Sequence, residues 1–532
     1  MASGVSQPRA EVTRHYRLRA VRVETQDVFR PAETGERVVP RFVNALHVTT
    51  RRETVMREVF VQPGDLVDTS HADELERNLR ALGIFAEVEV RLVPATTEGE
   101  ADLVVRTRDR LTLAVGGGAS YVGGTTGFNV SASESNVLGH GDRLAASFRE
   151  TDDGDFRGVG TWQDLHLFDT WMRNSMRVSR TDDGDGFGVE VDRPIKHLRD
   201  PRSWRVAASY DDLAQDYYEF GEEEGTVPFR RMALEGDVGA LHGERFARSG
   251  FGMTARYLDV DYGQAEGALA PTLRVPGATR SLFLGPTFRG RWIDGFRTAT
   301  AIDTLGFVQD IALAGEFECS AGGLLRDEDG VATELQPAFE AHAGFAWEPH
   351  AAWLLGIATD GGARWGDSGL VGWHAAARAQ SVWLWRDDQA LCATVRFDAA
   401  EEDQDLPVQF TLGADSGLRG YDSRLLDGRK RVVASVEERW DTGLDLWAFR
   451  VGLAAFCDAG WITDGPRFGR PHLGVGGGLR IGSAPLLGAN VLRMDFASAL
   501  DDAEGNSDGP EFSVTVGQSF TFGGATRIPA LR

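Results

Sequence analysis

The sequence predicts a mainly β protein, with a small α/β unit first and then one long antiparallel tract. Three observations carry this expectation. From Leu111 to Phe522, apolar and polar residues alternate with period two in segment after segment, the mark of half-buried strands. Gly- and Asp-rich turns separate these segments, and almost no helical spacing intervenes. Helical spacing is instead concentrated between residues 40 and 109, mixed with strand patterns.

Composition narrows the function classes. The chain has 532 residues and a formal charge of −24, with only two lysines, Lys196 and Lys430. Nucleic-acid binding needs a positive surface, so nucleic acid is excluded as a main partner. Cys319, Cys392 and Cys457 are far apart and lack paired spacing, which argues against a disulfide framework or a zinc site. No apolar run approaches the roughly 18 residues of a membrane helix. Met1 to Thr13 is polar, contains Pro8 and shows no apolar leader core.

The elements follow in order. Residues 1–39 read as an N-terminal region, partly disordered, with a leading strand suggested around Leu18–Val23 and broken by Pro31 and Gly35. Residues 40–109 form the α/β unit. Its pattern gives a strand over Arg41–Val48, a short helix capped by Thr50, and a helix capped by Ser70 with Leu75, Leu79 and Leu82 on one face. Gly83 ends that helix, and two strands follow, Phe85–Val93 and Ala101–Arg108. A unit of this order closes a small core with its helices on one sheet face.

Residues 110–522 form the β tract, and 523–532 a tail. Representative strands are Phe128–Ala132, Trp204–Tyr210, Arg431–Trp440, Leu446–Leu453 and Phe512–Phe522. The faces opposite the apolar ones are small or polar, as in Arg205, Ala207 and Ser209, and the tract closes on an aromatic strand. Apolar-out, polar-in alternation suits a transmembrane barrel, and 16 strands allow about 26 residues for each strand with its connection.

Motifs in this order carry a family resemblance. Leu82-Gly83-Ile84-Phe85 resembles the turn that enters the second strand of a POTRA domain. Asn136, Gly139 and Gly141 match the Asn-Leu-x-Gly-x-Gly segment of the first barrel hairpins in the outer-membrane assembly-factor family that includes BamA and TamA. Leu418-Arg419-Gly420-Tyr421 resembles that family's Arg-Gly-aromatic loop motif. Ser435-Val436-Glu437 and Phe456-Cys457-Asp458-Ala459-Gly460 resemble the strands after it, and Gly476–Arg480 and Arg493–Phe496 the closing strands. The similarity spans about residues 40–522.

The resemblance implies a 16-stranded outer-membrane barrel preceded by one periplasmic POTRA domain, assisting insertion or translocation of β proteins through a lateral seam. It assigns a loop lock in which Arg419, flanked by Gly417, Gly420 and Tyr421, meets Glu437 and Asp458, while Glu438 faces the other way. An arginine inside a barrel is costly unless paired, and its planar fork suits carboxylates as lysine does not. The implied partners are membrane lipids, unfolded outer-membrane or secreted clients, and periplasmic or lipoprotein accessory factors. The localisation implies a leader beyond this start. Family members usually carry several POTRA units and end near the terminal aromatic, so the single unit and the tail are departures. A two-partner-type secretion pore, or a structural outer-membrane barrel, is the alternative.

No catalytic residue, cofactor or metal is expected. Gly366-Asp367-Ser368-Gly369 looks like a protease nucleophile segment but lacks its neighbours and reads as an acidic loop. Asp182–Asp185 is too irregular for a calcium loop and reads as a hairpin turn. The glycine runs Gly116–Gly118 and Gly474–Gly478 lie in strand patterns with no following Lys-Ser/Thr, so they serve strand bending or close packing rather than phosphate binding.

Overall fold

The computed structural model describes residues 14–30, 38–122, 125–151, 156–195, 197, 200–244, 246–299, 302–305, 309–329, 331–386, 388–402, 404–446, 449–482, 491–507, 509–516, 518 and 522. The tail 523–532 and Phe520 lie outside them, as does the polar start.

The small unit runs β1 (Tyr16–Gln26), α1 (Val38–Leu46), α2 (Arg52–Glu58), β2 (Leu66–Val67), α3 (Thr69–Ala81), β3 (Phe85–Pro94) and β4 (Glu100–Asp109). Its sheet has the order β2-β1-β4-β3, with β1 parallel to β4 and β3 antiparallel to it. Leu75 and Leu79, one helical turn apart on α3, pack with Leu18, Val55, Ile84 and Leu103 in its core. The leading strand is therefore integral to this sheet.

Two local expectations are corrected here. Residues 41–48 do not form a strand: Val38–Leu46 is helical. Val38, Phe42 and Leu46, and Val39 and Val43, also recur four apart, and a short apolar run satisfies both periods. With β1 beside β4, the sheet already has its first strand. The cap of α3 is Asp68, not Ser70: the Asp68 carboxylate accepts from the Ser70 and His71 amides at 3.0 and 3.3 Å, and His71 Nδ1 accepts from the Asp68 amide at 3.2 Å. A carboxylate there satisfies open helix amides and complements the helix dipole.

Burial by itself would raise the Asp68 carboxyl, but hydrogen bonds from Ser70 and His71 outweigh it and hold the group at about 2. A depressed folded value means that the stabilisation is complete above the unfolded value of about 3.9 and is lost as pH falls towards about 2. Asp68→Ala should cost about 1 kcal/mol at neutral pH. It should also remove the acid-dependent part of α3 amide-exchange protection. Identical α3 exchange in the two proteins at every pH would refute this assignment.

The barrel strands are β5 (Leu113–Val122), β6 (Thr125–Val137), β7 (Asp142–Thr151), β8 (Phe156–Leu167), β9 (Met172–Thr181), β10 (Asp185–Arg193), β11 (Arg202–Glu219), β12 (Glu222–Glu244) and β13 (Ala247–Tyr262). They continue as β14 (Thr279–Ala299), β15 (Gln309–Glu328), β16 (Val331–His350), β17 (Trp353–Gly366), β18 (Gly369–Arg386) and β19 (Gln389–Glu402). The short strands β20 (Phe410–Leu412) and β21 (Leu426–Gly428) pair with each other in the next connection. The wall then resumes with β22 (Lys430–Leu446), β23 (Phe449–Thr463), β24 (His472–Gly482), β25 (Val491–Ala499) and β26 (Glu511–Val516).

Among the described residues the wall is a closed antiparallel barrel of 20 strands, not 16. The 16 strands implied by the resemblance fit the length of the tract only at an average of about 26 residues each, and strand length is uneven. The first six wall strands, β5 to β10, are only 9 to 13 residues long, whereas β11 and β12 have 18 and 23. The segment Leu446–Leu453 is likewise not one strand: β22 ends at Leu446 and β23 begins at Phe449. Of the expected aromatic closing strand, β26 covers Glu511–Val516, residues 517 and 519–521 lie outside the described residues, and Phe522 is buried against Ile302, Leu354 and Val382.

Alternation sorts the two faces of the wall. Val206, Leu234, Val238 and Leu284 are exposed on the outside. The intervening Arg205 pairs with Glu190 and Glu235, and Arg289 with Asp237 and Glu318. No helix among the described residues is long and apolar enough to cross a membrane.

Candidate functional site

The connection from β19 to β22 folds back against the inner wall. Its apolar residues Leu412, Leu418, Tyr421 and Leu425 are almost wholly buried and cluster with Val433. This packing carries Arg419 to the inner faces of β22, β23 and β25. Arg419 Nε and Nη2 donate to the two Asp458 carboxylate oxygens at 2.7 and 2.9 Å. Its Nη1 donates to Glu437 at 2.9 Å and lies 3.3 Å from Asp495. The guanidinium stacks over the Phe456 ring, 3.3 Å from its centroid.

The structure thus brings Arg419, Glu437 and Asp458 together. Glu437 and Asp458 share the inner face because β22 and β23 pair Ser435 with Asp458 and Glu437 with Phe456. Glu438 points outward and accepts from Trp385 Nε1 at 3.1 Å. The Gly420 amide donates to Glu511 at 3.1 Å. At a φ of +91° and with a Cβ that would lie 2.6 Å from the Ser498 carbonyl carbon, position 420 admits only glycine. The Tyr421 hydroxyl lies 2.9 Å from the Leu473 carbonyl and against Asp501.

Several participants carried no assigned role in the sequence reading. Ser435 Oγ donates to Asp458 at 2.6 Å, and Arg480 Nη1 donates to Asp495 at 2.6 Å. Arg439 Nε donates to Glu437 at 2.9 Å. Arg419, Arg439 and Arg480 therefore face Glu437, Asp458 and Asp495, all nearly inaccessible to solvent, and Arg493 lies 3.3 Å from Asp495. The glycine run of β24 belongs to the same site. A Cβ at Gly474 would meet the Arg419 carbonyl oxygen at 2.0 Å, one at Gly476 the Phe456 ring at 2.5 Å, and one at Gly478 the Asp495 carboxylate at 2.3 Å. Gly474 thus admits the loop backbone, while Gly476 and Gly478 leave room for the Phe456 ring and the Asp495 carboxylate that meet Arg419. Their spacing of two was the available signal.

The early-barrel motif lies elsewhere, at the joint between barrel and α/β unit. Asn136 Nδ2 donates to Thr50 Oγ1 at 2.8 Å, and its Oδ1 accepts from the Gly141 amide at 2.8 Å. The Gly139 carbonyl accepts from the Arg51 amide at 3.0 Å and Thr54 Oγ1 at 2.8 Å. The turn residues of the α/β unit face the same joint: Arg143 donates to the Leu82 carbonyl at 2.7 Å, Gly83 has a φ of +68°, and Phe85 is buried. Nearby, His166 Nε2 lies 2.8 Å from Glu58 Oε1, both buried, and Trp171 Nε1 donates to the Arg57 carbonyl at 2.8 Å. The segments set aside as chemistry are hairpin turns, Asp182–Gly184 between β9 and β10 and Asp367–Ser368 between β17 and β18.

Residues 349–520 match the model of the Omp85 superfamily domain. Among solved structures, BamA from Haemophilus ducreyi lacking POTRA domains 1–3 aligns at 12% identity over 94% of this chain and 84% of that one, with a TM-score of 0.40. CdiB from Escherichia coli aligns at 11% identity over 94% and 75%, with a TM-score of 0.48. CdiB from Acinetobacter baumannii aligns at 12% identity over 95% and 74%, with a TM-score of 0.45. No curated protein matches the chain. The matched segment contains the whole Arg419 site, so the similarity to the Omp85 superfamily domain covers the residues that hold the inward loop.

Proposed function

We propose that this protein assists other β proteins at the bacterial outer membrane, inserting them or passing them across, with the α/β unit acting as a POTRA domain on the periplasmic side. The seam of the barrel carries this reading. Among the described residues β26 meets β5 through the single pair Phe512↔Tyr121, whereas β5 and β6 pair continuously from Leu113↔Glu134 to Val122↔Thr125. A strand edge held by so little backbone pairing is an inexpensive place to add a client strand. The outer edge of β3 offers a second site for strand addition, since among the described residues β3 pairs only with β4 in the small sheet.

In this reading the POTRA domain runs from β1 to residue 109, and the barrel follows from residue 110. Arg419, Glu437 and Asp458 pin the inward loop, and Asn136, Gly139 and Gly141 dock the domain. The partners are lipids, unfolded clients and periplasmic or lipoprotein accessory factors, and no covalent step is involved.

Depletion followed by outer-membrane proteomics tests the role. Loss of many barrel proteins supports assembly, and loss of one exported protein supports a two-partner-type pore. Unchanged levels of every other outer-membrane and exported protein would overturn both. Opposed strand residues lie within disulfide reach. Complementation with Tyr121→Cys/Phe512→Cys should therefore fail when oxidised and recover on reduction; equal complementation in both states would remove the seam from the mechanism.

A further inference from the structure

The last hairpin of the barrel is gripped by four successive residues of the inward loop. Arg419 reaches Asp495 of β25. Gly420 sits so close to β25 that a Cβ there would lie 2.6 Å from the Ser498 carbonyl carbon, and its amide donates at 3.1 Å to Glu511, the first residue of β26. The Tyr421 hydroxyl meets Asp501 in the connection between the two strands. The Asp422 amide donates to Asn506 Oδ1 at 2.9 Å, and its carboxylate accepts from the Ser507 amide and hydroxyl at 2.8 and 2.5 Å. On the seam side, β26 has the single pair Phe512↔Tyr121 among the described residues. The residue next to that pair is the one the loop holds.

Glu511 differs from the other carboxylates of this region. Asp458 takes two guanidinium bonds and a hydroxyl, and Glu437 is shared by Arg419 and Arg439, so each is costly to release. Glu511 accepts from one amide, and its second oxygen is buried with no hydrogen-bond partner among the described residues. A carboxylate oxygen without a partner is penalised while it stays buried, and the penalty ends when the group reaches water. The contact is therefore easily released, unlike the Arg419 lock. Apart from the loop, β26 is held by its six pairs with β25, from Leu492↔Val516 to Ala497↔Glu511.

We infer that Glu511 is a positioning residue: through it the tip of the inward loop fixes the start of β26, and with it the stance of the seam strand towards β5, by a contact that can be let go. The inference rests on the barrel and seam reading above and deepens it. The Arg419 lock keeps the loop against the wall. The Glu511 tie passes the position of the loop to the seam, one residue from the described pair. Releasing the tie leaves β26 attached to β25 but no longer set from the loop, so exchange of strand partners at the seam becomes easier. A neutral acceptor of the same shape is sufficient, because the group it binds is a backbone amide.

Hydrogen exchange of the full chain in lipid nanodiscs tests this, with heat-modifiable migration identifying the folded barrel in each sample. Glu511→Ala should speed exchange of the β26 amides roughly tenfold or more and leave β22 and β23 at the parent rate. Glu511→Gln should stay near the parent. Asp422→Ala, which acts from the loop and leaves the sequence of β26 intact, should speed β26 exchange in the same direction. Parent-like β26 exchange in folded Glu511→Ala would overturn the tie. So would acceleration spread evenly from β22 to β26, which marks general destabilisation. Where Glu511→Ala does not fold, parent-like β26 exchange in Asp422→Ala overturns the tie in its place. The seam reading fails separately: normal complementation by oxidised Tyr121→Cys/Phe512→Cys protein removes the seam from function, whatever exchange shows of the tie.

Discussion

Arg419→Ala is expected to destabilise the folded barrel by about 3–5 kcal/mol, because it leaves buried carboxylates without their shared cation. Asp458 loses both of its guanidinium bonds and Glu437 loses one, and neither residue is accessible to water. Arg439 and Arg480 remain beside Glu437, Arg439 Nε at 2.9 Å and Arg480 Nη2 at 3.3 Å, and Arg480 also holds Asp495, so the loss falls mainly on Asp458. Arg419→Lys should rescue little, since one ammonium cannot span Asp458 and Glu437 with the same geometry or stack on Phe456. Glu438→Ala is the matched control: it removes an outward-facing carboxylate whose contact is Trp385. The measurement is the folded fraction by heat-modifiable migration across a urea series. A normal Arg419→Ala barrel beside a collapsed Glu438→Ala barrel would reverse the assignment.

Gly139→Val is expected to free the α/β unit from the barrel while the barrel itself stays closed. Gly139 has a φ of +78°, where a β-branched residue is strained, and its Cβ would lie 2.7 Å from the Thr49 carbonyl oxygen. The backbone cannot yield without losing the bonds from the Arg51 amide and Thr54 hydroxyl to the Gly139 carbonyl. Asn136→Ala should act in the same direction but more mildly, costing about 1–3 kcal/mol through the unsatisfied Gly141 amide and Thr50 hydroxyl. Limited proteolysis reads this out. Cleavage at residues 110–112 should accelerate in both variants, with heat-modifiable migration retained. If the barrel unfolded along with the release, the motif would be a folding element of the wall rather than a dock.

The lock was legible because its members sit in short motifs whose face can be counted. Glu437 and Glu438 differ by one position, and period two places them on opposite faces of β22. Asp495 was visible as a motif residue, yet its partners depend on how β24 and β25 register, which alternation does not encode. The dock was less legible still. Asn136 and the glycines look like ordinary turn chemistry, and only the chain folding back from Thr50 shows what the turn holds. The strand over 41–48 failed because a short apolar run fits helix and strand alike, and the sheet's first strand lay further upstream.

By itself the sequence determined the class of the protein: a small α/β unit, a long antiparallel wall with apolar and polar faces, an arginine loop and two carboxylates turned towards it. These are local properties, set by side-chain period, turn residues and spacing within a few tens of residues. Only the tertiary structure decided that among the described residues 20 strands close the wall, that Gly474 of β24 seats the loop, that Asn136 docks the α/β unit, and that Phe522 turns inward to meet Asp303. Each of these joins residues distant in the chain. Alternation tells which way a side chain faces but not which neighbour it meets; packing and register across the whole barrel settle that.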